Sequence, residues 1–180
     1  VMTEKYGADA PRLSLIIGNT PGQDLKLSED KVRGYKHFSN KLWNIARFVL
    51  THAEKLPDGA RENKIPQDER ILDEFKELAS DVTKNIEDYR FYLAAEKMYH
   101  YVWHTFADKI IEESKPILAG ENEQERLSRQ YTLLKILTDA VRVLHPFIPF
   151  VTEEIWSMIP VSKSGTKEKK GLLLVEKWPI

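Results

Sequence analysis

The chain has 180 residues, of which 42% are hydrophobic and 31% charged, and its formal net charge is −1. This length and composition predict one domain with a sizeable core. The absence of cysteine excludes disulfides and cysteine-based zinc sites. No stretch approaches 18 consecutive apolar residues and no signal-peptide core is visible near the start, so we expect no membrane partner and a cytoplasmic location.

The first half of the chain predicts one short and one long helix. The short helix spans about 8–17, with Pro11 in its first turn, and a loop with Pro21 and Gly22 follows. The long helix begins after Ser28, a suitable N-cap, and runs to about residue 54, before a Pro-Asp-Gly break. Its apolar face repeats every 3.6 residues and comprises Tyr35, Phe38, Leu42, Ile45, Ala46 and Val49.

Three further long helices are predicted at about 68–88, 91–113 and 123–144. The second is expected to bury Ile71, Leu72, Phe75, Leu78, Val82 and Ile86. The third should bury Ala94, Met98, Val102 and Phe106, and the fourth Leu127, Tyr131, Leu134, Leu137, Val141 and Leu144. Short connections between long amphipathic helices favour antiparallel neighbours.

The C-terminal part predicts shorter elements. Pro146 and Pro149 stop the fourth helix, and Thr152 is expected to cap a short helix over 153–158. A lysine-rich loop follows, and residues 172–175 are expected to be extended and strand-like. The predicted fold class is therefore all-α: an antiparallel bundle of about four long helices, a short N-terminal helix and a small strand-like C-terminal segment.

The opposite face of the long helix predicts contact with single-stranded nucleic acid. It carries Arg33, His37, Asn40, Lys41, Asn44 and Thr51, and Phe48 lies within about 20° of Lys41 at 100° per residue. Bases stack on aromatic rings, amides bind base edges and lysines hold phosphate. Residues 26–47 hold six basic and two acidic side chains, whereas residues 67–125 hold fifteen acidic and seven basic. The alternative is an ordinary solvated face with one apolar residue.

No pattern in the sequence indicates catalysis. His100 and His104 have the i, i+4 spacing of a zinc pair, but no third ligand is evident and the glutamate of that motif is absent. There is no P-loop, no glycine-rich dinucleotide turn and no nucleophile motif. We therefore expect no catalytic residue, no metal and no cofactor in this chain.

Four blocks of sequence resemble one family. The segment PGQD followed by GYKHFSNKLWNIARF resembles the start of the anticodon-binding helical domain of valyl-tRNA synthetases. KYGADAPR is similar to the segment that follows the KMSKS loop of class I synthetases. Residues 88–116 and VLHPFIPFVTEEIW resemble later helices of the same domain. The last block is also typical of leucyl- and isoleucyl-type relatives, so a domain of that type is an alternative. A protein-interaction module without an RNA role is another.

The resemblance implies three segments in the chain and a role in tRNA binding. Residues 1–24 would link to a catalytic domain, 25–160 would form the anticodon-binding bundle, and 161–180 a lysine-rich loop with an extended end. The implied role is to position a valine-specific tRNA, through its anticodon stem-loop, for ATP-dependent aminoacylation elsewhere in the same enzyme. The implied oligomeric state is a monomer. By resemblance the leading RNA contacts are Lys41 and Phe48, followed by Asn40, Asn44, Arg47 and Lys31. Trp43 is expected to pack against a neighbouring helix.

Overall fold

The computed structural model describes residues 1–19, 22, 24, 27–54, 56–57, 65–160 and 171–179. Across these ranges the chain is helical and contains no β-strand. The α-helices are α1 (Met2–Tyr6), α2 (Asp9–Ile16), α3 (Glu29–Ala53), α4 (Pro66–Glu87), α5 (Phe91–His100), α6 (Glu112–Ala119), α7 (Glu123–Leu144) and α8 (Pro149–Met158). A π-helical segment, Tyr101–Ile111, joins α5 to α6, and a 3₁₀ turn covers Leu173–Val175. None of the helices within the described ranges is both long and apolar enough to cross a membrane.

Helix α3 forms as the sequence predicts. The hydroxyl oxygen of Ser28 accepts a hydrogen bond from the backbone N–H of Lys31 at 3.2 Å, which satisfies one of the free donors of the first turn. Five of the six predicted core residues are buried, and Tyr35 is half-buried. The expected core face of α3 is thus confirmed.

The all-α bundle is confirmed, and its helices alternate in direction. Asp81 of α4 pairs with Lys97 of α5 across a three-residue connection, which makes these two helices antiparallel. Arg129 near the start of α7 meets Asp68 near the start of α4, so α7 runs parallel to α4. Helix α3 packs against α1, α2, α7, α8 and the π-helical segment. These contacts leave one face of α3 open to solvent.

The third predicted helix is longer and less regular than expected. The sequence predicts an end near 113, three residues before Pro116. A proline inside a helix removes the N–H that would bond to the carbonyl four residues earlier. The helical path instead continues through Pro116 to Ala119. Before it, the π-helical segment uses the wider i to i+5 pattern, which helical periodicity in a sequence does not reveal. The predicted core residues of this helix are all buried.

Two predictions near the C-terminus are wrong. Thr152 does not cap a helix, because α8 begins at Pro149 and the Thr152 hydroxyl donates to the carbonyl of Ile148 at 2.9 Å. The 172–175 segment is not strand-like, because Leu173–Val175 closes a 3₁₀ turn against α8.

In α7 the core face is rotated from the predicted one, so Leu127, Tyr131 and Leu134 are half-buried. The buried apolar residues there are Leu133, Ile136, Leu137, Ala140, Val141, Val143 and Leu144.

Some sequence predictions fall outside the described residues. These are the lysine-rich loop at 161–170, Pro21 in the loop before α3, most of the break after residue 57, and the basic residue Lys26.

Candidate nucleic-acid interface

The open face of α3 carries only polar residues and one glycine. Helix α3 is described throughout, and its exposed residues are Glu29, Asp30, Arg33, Gly34, His37, Asn40, Asn44, Arg47 and Thr51. We call His37, Asn40, Asn44 and Arg47 the α3 strip. Arg33 pairs with Asp30 at 2.5 Å and does not belong to the strip. A polar open face contradicts the apolar patch that a protein-interaction helix would present.

The side chains of the α3 strip are available for an external partner. Among the described residues, none forms a hydrogen bond or ion pair with the side chains of His37, Asn40, Asn44 or Arg47. The strip spans about 15 Å at 1.5 Å per residue. Each amide offers both donors and an acceptor, and the guanidinium offers only donors. The strip therefore presents the groups that bind base edges and phosphate along one line of the surface.

Lys41 lies at the edge of the strip and has partners within the chain. Its ammonium donates to Asp108 Oδ1 at 2.6 Å and lies 4.6 Å from the centroid of the Trp103 ring. The hydrogen bond from Lys41 is the main reason that the pKa of the Asp108 carboxyl lies below its ordinary value of 3.8. His104 Nδ1 is 3.6 Å from the second oxygen of Asp108. The side chain of Lys41 is only 28% exposed.

Phe48 is more buried than we expected from the sequence. Its ring is half-buried and packs against the main apolar core. The ring also lies against the imidazole of His52, with 4.4 Å between the centroids. A large side chain at the edge of the polar face therefore still reaches the core. Because Phe48 is only half-buried, part of its side chain remains accessible to solvent.

Lys31 is directed away from the strip. Its ammonium donates to the carbonyl of Ile17 at 2.8 Å, just past the end of α2, where a positive charge complements the helix dipole. Burial lowers the pKa of Lys31 from its ordinary value of 10.5. The structure brings Asn40, Asn44 and Arg47 together, with Lys41 and Phe48 beside them, and separates Lys31 from them.

Trp43 packs as the sequence predicts. It is half-buried against the main core on the side of α3 away from Lys41. There it lines a groove of about 410 Å³ together with Tyr6, Asn40 and Phe150.

Two residues beside the strip were missed by the sequence reasoning. Asp108 and Trp103 come from the π-helical segment, more than 60 positions away from Lys41 in the chain. Periodicity within one helix cannot reveal a contact with another helix. The only local signal was the i, i+4 spacing of His104 and Asp108. In the part of the chain that the structure describes, no group of three or more histidine and acidic side chains is arranged to hold a metal.

Comparison with known proteins identifies the family. The model of the anticodon-binding domain of tRNA ligases matches residues 68–180. The chain belongs to this family. This confirms the domain type that the sequence blocks predict.

Several relatives extend the similarity over nearly the whole chain. A valine–tRNA ligase of Clostridium tetani is 37% identical over 179 residues, which cover 98% of this chain and 20% of that protein. The valine–tRNA ligase of Thermotoga maritima is 39% identical over 176 residues, covering 98% of this chain and 19% of its own length. The chain thus spans about a fifth of the length of these relatives.

A solved structure supports the fold. The chain aligns with a LeuRS–tRNA–LeuAMS ternary complex of Agrobacterium radiobacter with a TM-score of 0.68 and 18% identity. The alignment covers 99% of this chain and 20% of that one. At this identity the likeness concerns the fold alone.

Proposed function

We propose that this chain is the part of a valine–tRNA ligase that binds the anticodon stem-loop and positions the tRNA for aminoacylation. The proposal is carried by the α3 strip: amide and basic side chains without partners among the described residues, on the open face of a helix. The similarity to valine–tRNA ligases over nearly the whole chain supports the choice of valine.

The residues divide into three roles in this proposal. Asn40 and Asn44 bind base edges through their amides, and Arg47 binds phosphate or a base edge. The accessible part of the Phe48 ring stacks on an unpaired base. Lys41 supplies a phosphate contact at the edge of the strip. Lys31 is not included, because its ammonium is bound to the carbonyl of Ile17.

In this proposal the aminoacylation reaction takes place in another part of the enzyme. We assign the binding of ATP and valine to a catalytic domain elsewhere in the enzyme, because this chain spans only about a fifth of the length of the valine–tRNA ligases that it resembles. We propose that this chain needs no cofactor, that its partners are the tRNA and the remainder of the synthetase, that it is monomeric, and that it works in the cytoplasm.

Two other functions are less well supported. A helical protein-interaction module would present apolar side chains on the open face of α3, whose exposed residues are polar or glycine. A leucyl- or isoleucyl-type domain agrees with the fold, but the relatives at 37–39% identity are valine–tRNA ligases.

The test is a titration of this chain with short RNAs. Fluorescence anisotropy would compare the anticodon stem-loop of a valine tRNA with a hairpin that has the same stem and a scrambled loop, and with the stem-loop of a leucine tRNA. The proposal expects tighter binding of the valine stem-loop than of both others. Equal affinity for all three RNAs would refute anticodon recognition.

A further inference from the structure

A cluster of four side chains lies at the edge of the α3 strip: Lys41, Trp103, His104 and Asp108. Lys41 is the leading candidate for a phosphate contact, yet its ammonium is already paired with a carboxylate at 2.6 Å and covered on another side by an indole ring. A lysine held in this way differs physically from the side chain of Arg47, which has no partner among the described residues.

We propose that Asp108 occupies Lys41 in the unbound chain as a substitute for phosphate, and that RNA gains this lysine only by displacing the carboxylate. This inference rests on the proposed function. It makes Asp108 a residue that sets selectivity: an RNA must place a phosphate at one position beside the strip to compete with a carboxylate that is already in place.

The geometry supports such an exchange. A carboxylate and a phosphate both accept charge-assisted hydrogen bonds from an ammonium, so either can occupy the place of Asp108 Oδ1. Asp108 is 51% exposed, and an incoming anion therefore reaches the pair from solvent. The Trp103 ring keeps the ammonium in place during the exchange, because its contact with Lys41 does not involve the carboxylate.

Asp108 has a second partner when a phosphate displaces its carboxylate from Lys41. His104 Nδ1 lies 3.6 Å from Asp108 Oδ2, one helical turn away. The depressed pKa of Asp108 follows mainly from its hydrogen bond with Lys41, with a smaller part from His104. Displacement therefore leaves the carboxylate beside an imidazole rather than without a partner.

The experiment measures the affinity of the valine anticodon stem-loop for the 180-residue chain and for Asp108→Asn, at several salt concentrations. Asn keeps the size of the side chain and removes its charge. We expect Asp108→Asn to bind about twofold to fivefold more tightly, the factor that corresponds to an exposed ion pair. The dependence of log affinity on log salt should change by less than about 0.7, the value for one phosphate contact on a single strand, because RNA contacts Lys41 in both forms.

A double-mutant cycle separates masking from simple repulsion between Asp108 and RNA. If Asp108 acts by masking Lys41, the gain from Asp108→Asn disappears in the Lys41→Ala background. A gain that persists without Lys41 would contradict the proposal, as would an unchanged or weaker affinity of Asp108→Asn. An NMR titration of Asp108 adds a readout without RNA: its pKa should rise in Lys41→Ala, and an unchanged pKa would show that the pair does not form.

Failure of this inference is distinguishable from failure of the proposed function. If the natural chain prefers the valine stem-loop but Asp108→Asn changes nothing, only the masking role is wrong. If the natural chain and Asp108→Asn both fail to bind the stem-loop, the proposed function is wrong and the masking role falls with it.

Discussion

Arg129 and Asp68 form an ion pair that is closed to solvent on all sides, with Arg129 Nε 2.6 Å from Asp68 Oδ1 and both side chains 0% exposed. Ser128 donates to the other oxygen of Asp68 at 2.5 Å, and Arg129 Nη1 donates to the Ser114 hydroxyl at 3.1 Å. Because these residues belong to α4, α6 and α7, the network joins three helices at one end of the bundle. The network holds the N-terminal ends of α4 and α7 together.

Removing one member of this pair should destabilise the fold strongly. Arg129→Met leaves Asp68 buried without its charged partner, and we expect a loss of about 3–5 kcal/mol in the free energy of unfolding. Urea denaturation followed by circular dichroism measures it. The double variant Asp68→Leu with Arg129→Met removes both charges and should be more stable than Arg129→Met alone. A single variant as stable as the natural chain would show that the pair is not formed.

Phe48 and Phe38 offer a matched comparison on one helix. Phe38 is 0% exposed, so Phe38→Ala should cost about 3–5 kcal/mol. Phe48 is half-buried, and we expect Phe48→Ala to cost about 1–2 kcal/mol, a fraction of the buried value. Loss of stacking should also weaken RNA binding by about 1–3 kcal/mol. If folded Phe48→Ala binds the stem-loop normally, Phe48 is a packing residue and not an RNA contact.

The difference between these two phenylalanines shows what the sequence of α3 could predict. The 3.6-residue period places Phe38 at the centre of the apolar face, and the structure buries it. The same period places Phe48 near Lys41 on the polar side, but it cannot reveal how far a large ring at the edge reaches toward a neighbouring helix. Lys31 shows the same limit, because its partner is a carbonyl beyond the end of α2.

Periodicity within α3 predicts one part of the candidate site and misses another. Asn40, Asn44 and Arg47 share one face of one helix, so local periodicity places them together. Asp108 reaches Lys41 from the π-helical segment, where the wider helical turn changes the spacing of side chains. Only the packing of the two segments brings the carboxylate to the lysine.

Stability should fall on mild acidification because of His145. Burial lowers the pKa of His145 from 6.5, although Glu153 and Asp9 act in the opposite direction. Between the lowered pKa and 6.5 the unfolded chain binds more protons than the folded one, so the free energy of unfolding decreases as pH falls through this window. His145→Gln keeps a polar group near the Thr152 hydroxyl and should flatten this dependence. An unchanged pH profile in His145→Gln would assign the effect to other groups.

Binding of RNA by this chain alone should be weak and depend on salt. The segment 26–47 supplies a net charge of +4, which allows only a few phosphate contacts. Titration of the valine anticodon stem-loop at low and moderate salt measures the slope. An affinity that does not change with salt would mean that basic side chains of α3 do not contact phosphate.

The isolated chain should be a helical monomer without catalytic activity. Analytical ultracentrifugation and circular dichroism test its state and helicity. Since no nucleotide-binding motif is present in the sequence, we expect no valine-dependent exchange of pyrophosphate into ATP. Exchange above background by highly purified chain would place catalytic groups within these 180 residues.

The most direct test of the α3 strip is the affinity of the valine anticodon stem-loop for Arg47→Ala and Asn44→Ala, measured beside Arg70→Ala. Arg70 is an exposed arginine on α4, so Arg70→Ala removes the same charge as Arg47→Ala at a different place. We expect Arg47→Ala to weaken binding and to lower the salt slope by about 0.7, and Asn44→Ala to weaken binding with an unchanged slope. Arg70→Ala should bind like the natural chain. Equal losses in Arg47→Ala and Arg70→Ala, with no loss in Asn44→Ala, would contradict a role for the strip in RNA recognition.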